Sequence, residues 1–278
     1  MTRPLTCAAL QMRSGTSVSA NRDAFVALVD EAAALGATYI QSPEMTGLIQ
    51  KDRKALLEAI FAEDDDPVVA AASQAARRHA AWIHVGSTPI DRGDGKVANR
   101  AFLFGPDGHC RLTYDKIHMF DVDLDNGESW RESAIYEPGD CAAIVTGGPA
   151  VIGVAICYDI RFPALFQAQA LAGAEILTAP AAFTRQTGMV HWHVLQRARA
   201  IENGAFVVSA AQGGIHEDGR ETYGHSVVID PKGAVIAEKA DDEPGVIVAE
   251  IDLGEVAAAR ARIPNLKNIR QFRVSAGQ

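Results

Sequence analysis

The sequence predicts an α/β fold, with sheets in the middle and helices outside. Short apolar, β-branched runs interleave with segments of helical period along all 278 residues, and hairpins are added between them. No linker, low-complexity run or repeat of fixed period interrupts that order, so residues 1–278 read as one domain. A third observation is chemical: an isolated Glu44, Lys116 and Cys157 each follow an apolar strand, where layered α/β folds place their working groups.

The elements follow in order. Residues 5–12 read as a strand, and 21–35 as a helix, because Phe25, Leu28, Val29, Ala32 and Ala33 share one face and Gly36 ends it. A short strand at 38–41 runs into Ser42-Pro43-Glu44. Helices are predicted over 51–61 and 67–80, separated by the acidic turn 63–66. Strands at 82–90, 98–104 and 110–114 are divided by the turns 91–96 and 105–108, rich in Gly and Asp. Residues 118–140 read as a long polar loop, a length that is usually functional within a compact domain. A strand at 151–156 precedes a helix opened by Pro163, and a strand at 175–180 precedes a loop and a helix over 191–203. A strand at 205–210 leads into a Gly-rich loop ending at Gly224. Strands 225–230 and 234–238 then form a hairpin, and a strand at 246–251 and a helix at 253–262 complete the chain.

Composition narrows the function. With 48% hydrophobic residues the chain can bury a large core as a soluble globular protein. A net charge of −9, with no basic block, argues against a nucleic-acid or anionic-membrane partner, and no stretch approaches a membrane span. Cys7, Cys110, Cys141 and Cys157 are scattered without a Cys-x-x-Cys pair, so neither a disulfide framework nor a zinc knuckle is indicated. Residues 1–5 run directly into a strand without an apolar leader, and the expected location is the cytoplasm, where Cys157 stays a free thiol. Asp121, Asp123, Asp125 and Glu132 mimic a calcium loop, but glycine falls one place late, at Gly127, so a solvated acidic loop is expected and no metal. His191 and His193, two apart on a helix, face different sides and cannot share one ion.

The stretch Val151-Ile-Gly-Val-Ala-Ile-Cys157-Tyr-Asp-Ile-Arg-Phe-Pro163 carries the chemistry. A thiol on the corner between a strand and a helix stands clear of the sheet, near backbone N–H groups and a helix dipole that favour a thiolate. A thiol of ordinary pKa, about 8.5, still needs a base to attack at neutral pH. A buried carboxylate such as Glu44 can serve, provided a cation such as Lys116 makes its burial tolerable and donates to the oxyanion.

These blocks resemble the nitrilase, or carbon–nitrogen hydrolase, superfamily. Its Glu-Lys-Cys triad appears here as Ser-Pro-Glu44, Tyr-Asp-Lys116-Ile-His and Gly-Val-Ala-Ile-Cys157-Tyr-Asp-Ile-Arg-Phe-Pro. The resemblance extends through Pro180-Ala-Ala-Phe183, His191-Trp192, Arg197-Ala-Arg199-Ala-Ile-Glu-Asn203 and Gly224-His-Ser-Val-Val-Ile-Asp-Pro231. It implies a four-layer αββα sandwich, paired as an αββα–αββα homodimer, that hydrolyses a small-molecule amide through a thioester without a cofactor. Cys157 would attack, Glu44 would move protons, and Lys116 with the Tyr158 backbone N–H would hold the oxyanion. A second glutamate matches Glu132, with Glu128 and Glu137 in the same loop as alternatives. The run Lys116-Ile-His-Met-Phe-Asp-Val-Asp together with Ala210-Ala-Gln-Gly-Gly214 resembles the branch of ω-amidases and deaminated-glutathione amidases, whose substrates bear a carboxylate. Arg161 and Arg185 are therefore candidate carboxylate ligands, with a structural pair between Arg161 and Asp159 as the competing reading. Phe183 and Thr184 are expected to line the pocket, His118 to brace the long loop and Trp192 to pack.

Three competing readings stand beside this one. N-carbamoyl amino acid hydrolases and nitrilases use the same triad. An α/β-hydrolase would want glycines two residues from its nucleophile, where Ala155 and Asp159 stand. A catalytically silent binding homologue would lack a triad residue, and none is missing.

Overall fold

The computed structural model describes every residue except Met1, Asp125, Asn126, Glu128 and Gln278. The expectations placed on Asp125 and Glu128 therefore lie outside the described residues. In chain order the first half contains β1 (Pro4–Gln11), α1 (Val18–Ala34), β2 (Tyr39–Gln41), α2 (Arg53–Ala59), α3 (Pro67–His79), β3 (Trp82–Asp91), β4 (Val97–Phe104) and β5 (Cys110–Asp115). Next come β6 (Asp121–Asp123), β7 (Ser129–Arg131), β8 (Ala143–Val145), β9 (Ile152–Val154), α4 (Pro163–Leu171) and β10 (Ile176–Thr178). The remainder is α5 (Arg185–Asn203), β11 (Phe206–Ser209), β12 (Gly213–Ile215), β13 (Glu221–Tyr223), β14 (Val227–Ile229), β15 (Val235–Glu238), β16 (Gly245–Asp252) and α6 (Gly254–Arg262).

Two six-stranded sheets form the centre, ordered β16-β1-β2-β3-β4-β5 and β15-β14-β11-β10-β9-β8. Side chains along β1 alternate, as the two-residue period of a strand requires. Leu5, Cys7 and Ala9 enter a core shared with Ile152, Val154, Ile176 and Val207 of the other sheet. Ala8 and Leu10 enter a second core, with Phe25 and Val29 of α1 and Val68, Ala72 and Ala76 of α3. Because α4 and α5 cover the far face of the second sheet, the layers run helix, sheet, sheet, helix. Strands wedged between layers are apolar on both faces, which is why they read as continuous hydrophobic runs.

The middle of each sheet is parallel: β1, β2 and β3 in one, β9, β10 and β11 in the other. The carboxyl ends of these strands meet across the sandwich. Gln41, at the end of β2, accepts the Ala210 N–H at 2.8 Å, just past the end of β11. Gln212 reaches back to the Glu44 and Met45 carbonyls at 3.0 and 3.2 Å.

Several boundaries differ from the sequence expectation. α5 begins at Arg185, six residues before 191, because Thr184 caps it by accepting the Thr187 N–H, and Gly188 lets Tyr223 pack against the backbone. The Thr-Gly-Met interior hides this turn from propensity. Within 118–140 the chain forms the β6–β7 hairpin and a 3₁₀ turn at Glu132–Ala134, while the Gly-rich loop contains the β12–β13 hairpin. β8 is an edge strand too short to show a period, and the strand at 151–156 is regular only over Ile152–Val154.

Candidate active site

Glu44 leaves the end of β2 on a constrained backbone. Met45 takes a left-handed φ of 57°, its N–H donating to the Ser87 hydroxyl at 3.0 Å, and the Thr46 N–H donates to the Ser87 carbonyl. Gly86 permits this approach, since a Cβ there would sit 2.1 Å from the Ser42 carbonyl oxygen. Lys116 follows β5, its N–H donating to the Asn99 carbonyl of β4. Cys157 follows β9 with φ of +47°, at the start of a 3₁₀ turn, and its N–H donates to Pro180 at the end of β10. A non-glycine residue held in the left-handed region costs of order 1–3 kcal/mol and persists only where its surroundings enforce it.

The three side chains converge in one buried network. The Lys116 ammonium donates to Glu44 Oε1 at 2.9 Å and to both oxygens of Glu132 at 2.9 Å. Glu44 Oε2 accepts the Ala182 N–H at 2.8 Å, and its carboxylate lies beside the Cys157 thiol. Glu132 is further held by the Phe120 N–H at 2.6 Å. Asn99, absent from the sequence reading, joins the two acids by donating from Nδ2 to Glu44 at 3.0 Å and Glu132 at 3.2 Å. Its signal was a lone polar amide inside the apolar run Val97–Phe104.

Burial and charge set the protonation states. Burial raises the Glu44 pKa, but the Lys116 charge and the bonds from Cys157, Lys116 and Ala182 hold it below the ordinary carboxylate range. Lys116 is likewise desolvated, yet two carboxylates raise it well above the usual ammonium range. Burial and the Glu44 charge push Cys157 well above the ordinary thiol range. Rather than the expected thiolate, the balance favours a neutral thiol at rest: the Cys157 N–H is used by the Pro180 carbonyl, and burial with the Glu44 charge outweighs the opposing pull of Lys116 and the Ala182 N–H.

A cavity of about 990 Å³ opens over this network. Tyr158, Arg161, Phe183, Thr184 and Arg185 all line it. Tyr158 packs edge-on against Phe120 and Phe162. The Arg161 guanidinium lies over the Tyr158 and Phe183 rings and donates to His191 at 3.3 Å. It does not pair with Asp159, whose buried carboxylate accepts from Tyr114, His118 and the Ile156 N–H. His118 also stacks on Phe162 and so fastens the start of the long segment to the Cys157 turn. Arg185 is ion-paired with Asp242 at 2.7 Å, and buried Trp192 packs against Phe183. The acidic residues of the supposed calcium spacing go to separate partners: Asp121 to Ser133, Asp123 to Ser129 and Arg131, and Glu132 to Lys116.

A sequence profile of the carbon-nitrogen hydrolase family matches residues 6–261. The chain belongs to the carbon–nitrogen hydrolase family. Like that family, it is a hydrolase acting on carbon–nitrogen bonds other than peptide bonds. A Synechocystis protein described as a deaminated glutathione amidase is 35% identical over 275 residues, spanning 96% of this chain and 98% of the relative. The mouse protein of the same description is 37% identical over 269 residues, 95% of this chain and 82% of its own. The C. elegans NitFhit protein superimposes with a TM-score of 0.86 at 32% identity, over 97% of this chain and 66% of that longer one. Saccharomyces cerevisiae Nit3, from branch 10 of the nitrilase superfamily, gives 0.84 at 26% identity, over 94% and 95%. This carbon–nitrogen hydrolase has the nitrilase-type four-layer fold of both structures.

Proposed function

We propose that residues 1–278 form one catalytic domain that hydrolyses a small carboxylate-bearing amide through a thioester on Cys157, releasing ammonia. One observation carries the reading: a Glu44 carboxylate held by the Lys116 ammonium at 2.9 Å stands beside the Cys157 thiol in the lining of one cavity. The base thus stands beside the proton it removes, so a raised thiol pKa is no obstacle. The proton leaves as the carbon–sulfur bond forms.

In this scheme the sulfur adds to the amide carbon as Glu44 takes its proton. Lys116 and the Tyr158 backbone N–H then receive the negative oxygen. The ammonium has a hydrogen to spare for this, because Glu132 accepts through both oxygens and can give one up. The tetrahedral adduct collapses, the carbon–nitrogen bond breaks, and Glu44 returns its proton to the departing ammonia. Glu44 next deprotonates a water that attacks the thioester, and the acid leaves with the thiol restored. Glu132 positions Lys116 and the substrate amide. Arg161, Phe183, Thr184 and Arg185 shape the substrate pocket.

The test is ammonia release from a panel of ω-amides, N-carbamoyl amino acids and nitriles. The proposal expects release from ω-amides, abolished in folded Cys157→Ala, and a Glu44→Gln protein that binds substrate without turning it over. Turnover by Glu44→Gln near the parental rate removes Glu44 from the scheme. Carbon dioxide formed alongside ammonia would reassign the chain to N-carbamoyl hydrolysis, and acid formed from a nitrile would reassign it to nitrilase chemistry. No helix among the described residues is long and apolar enough to cross a membrane. We further infer a homodimer, supported by the exposed apolar stripe Val190, Val194 and Ile201 on α5, and propose the cytoplasm as its location.

A further inference from the structure

We propose that Arg220 is the carboxylate ligand of the substrate cavity, the residue by which this enzyme selects anionic amides; the inference rests on the amidase reading above. Arg220 stands just before β13 and lines the cavity that contains Cys157, Glu44 and Lys116. Its guanidinium lies over the Trp130 ring, 4.7 Å from the centroid, which fixes the plane of the donor fork. Its Nε–H is buried and has no acceptor among the described residues. Asp218 Oδ2 forms an ion pair with Nη2 at 3.8 Å, beyond hydrogen-bond reach, and accepts no hydrogen bond among the described residues. Asp218 also accepts the Arg220 backbone N–H at 2.9 Å, so it orients the turn and offsets part of the guanidinium charge without satisfying the Nε–H.

The other cations lining the cavity are placed differently. Arg131 is bound by both oxygens of Asp123, Arg185 by Asp242, and Arg161 donates to His191 while covering two rings. Lys51 sits on an exposed, flexible stem and offers a point charge rather than a fork. Arg220 lines the same cavity as Glu132 and the buried Tyr136. A buried donor without a partner is unfavourable until an acceptor arrives. A carboxylate laid along Nε and Nη2 would meet both donors at once in the planar arrangement guanidinium favours. A neutral amide would leave the Nε–H unmet.

The experiment compares glutaramate with 5-methylhexanamide, which replaces the carboxylate by an isopropyl group of similar shape. In parent, Arg220→Gln and Arg220→Lys proteins, kcat/KM is measured for both, and the acid-to-neutral ratio is the readout. The ratio is expected to fall about 10- to 100-fold in Arg220→Gln, mainly through KM for glutaramate, and to recover only partly in Arg220→Lys. A ratio unchanged from the parent overturns the assignment, whether or not overall activity drops, because a merely structural role lowers both substrates together. If the parent releases ammonia from neither amide, it is the amidase reading that fails. Calorimetric binding of glutarate to parent and Arg220→Gln then decides the anion site alone. Equal affinity, or no binding to the parent, sinks it.

Discussion

Lys116 holds two buried carboxylates with a single ammonium, so its removal has two separable effects. Lys116→Ala is expected to lose about 10²–10³ in kcat as an oxyanion donor disappears. It also leaves Glu44 and Glu132 facing each other without a counter-charge, at about 3–5 kcal/mol of stability by urea denaturation. Asn99 separates the same two acids with a neutral amide. Asn99→Asp adds a third carboxylate, so the acid limb of the kcat/KM profile should move to higher pH; an unmoved limb excludes Asn99 from tuning Glu44. In the parent that limb is expected below the ordinary carboxylate range, because the Lys116 charge holds Glu44 ionised. The linked stability is present above the ordinary carboxylate value and fades as pH falls through the lowered one. For Cys157 the sign reverses: protonation is favoured in the fold, so that contribution is complete below the ordinary thiol value and is lost as pH climbs toward the raised one.

At the scale of elements, the strand ends were the legible part. Residues 38–41 and 151–156 are short, largely buried runs that give way to Ser42-Pro43-Glu44 and to Cys157, and the strand at 110–114, exposed over much of its length, leads through Asp115 to Lys116. What stayed hidden was decided across space. Asn99 is an ordinary polar residue until β5 brings Lys116 beside it, and Arg220 acquires meaning only when β7 places Trp130 beneath it. Neither pairing leaves a local period. The start of α5 was concealed for another reason, since Gly188 is required by Tyr223 rather than by the helix. Gly86 is the sharpest element-scale test. Gly86→Ala drives a Cβ into backbone at Ser42 and Pro43, so it should cost about 1–3 kcal/mol by thermal unfolding and lower kcat by displacing Glu44. Unchanged kcat would mean that the β2 end tolerates movement.

For the whole molecule, the site exists only because two sheets are stacked. Glu44, Asn99 and Lys116 come from one sheet, while Cys157, Ala182 and Gln212 come from the carboxyl ends of strands in the other. The layer order could be expected from helices and strands interleaving along the chain, but not which strand ends would face each other. The α5 stripe gives the prediction at this scale. Val194→Asp should convert a dimer to a monomer in analytical ultracentrifugation, and a parent that sediments as a monomer refutes the pairing. The neutral resting state of Cys157 has one last consequence. Peroxide attacks thiolates, and burial with the Glu44 charge favours the protonated form of this sulfur. Oxidation is therefore expected at the exposed Cys110 and Cys141 before the buried Cys157, and by access rather than charge, since their thiols too are held above the ordinary range; mass spectrometry of peroxide-treated protein checks the order.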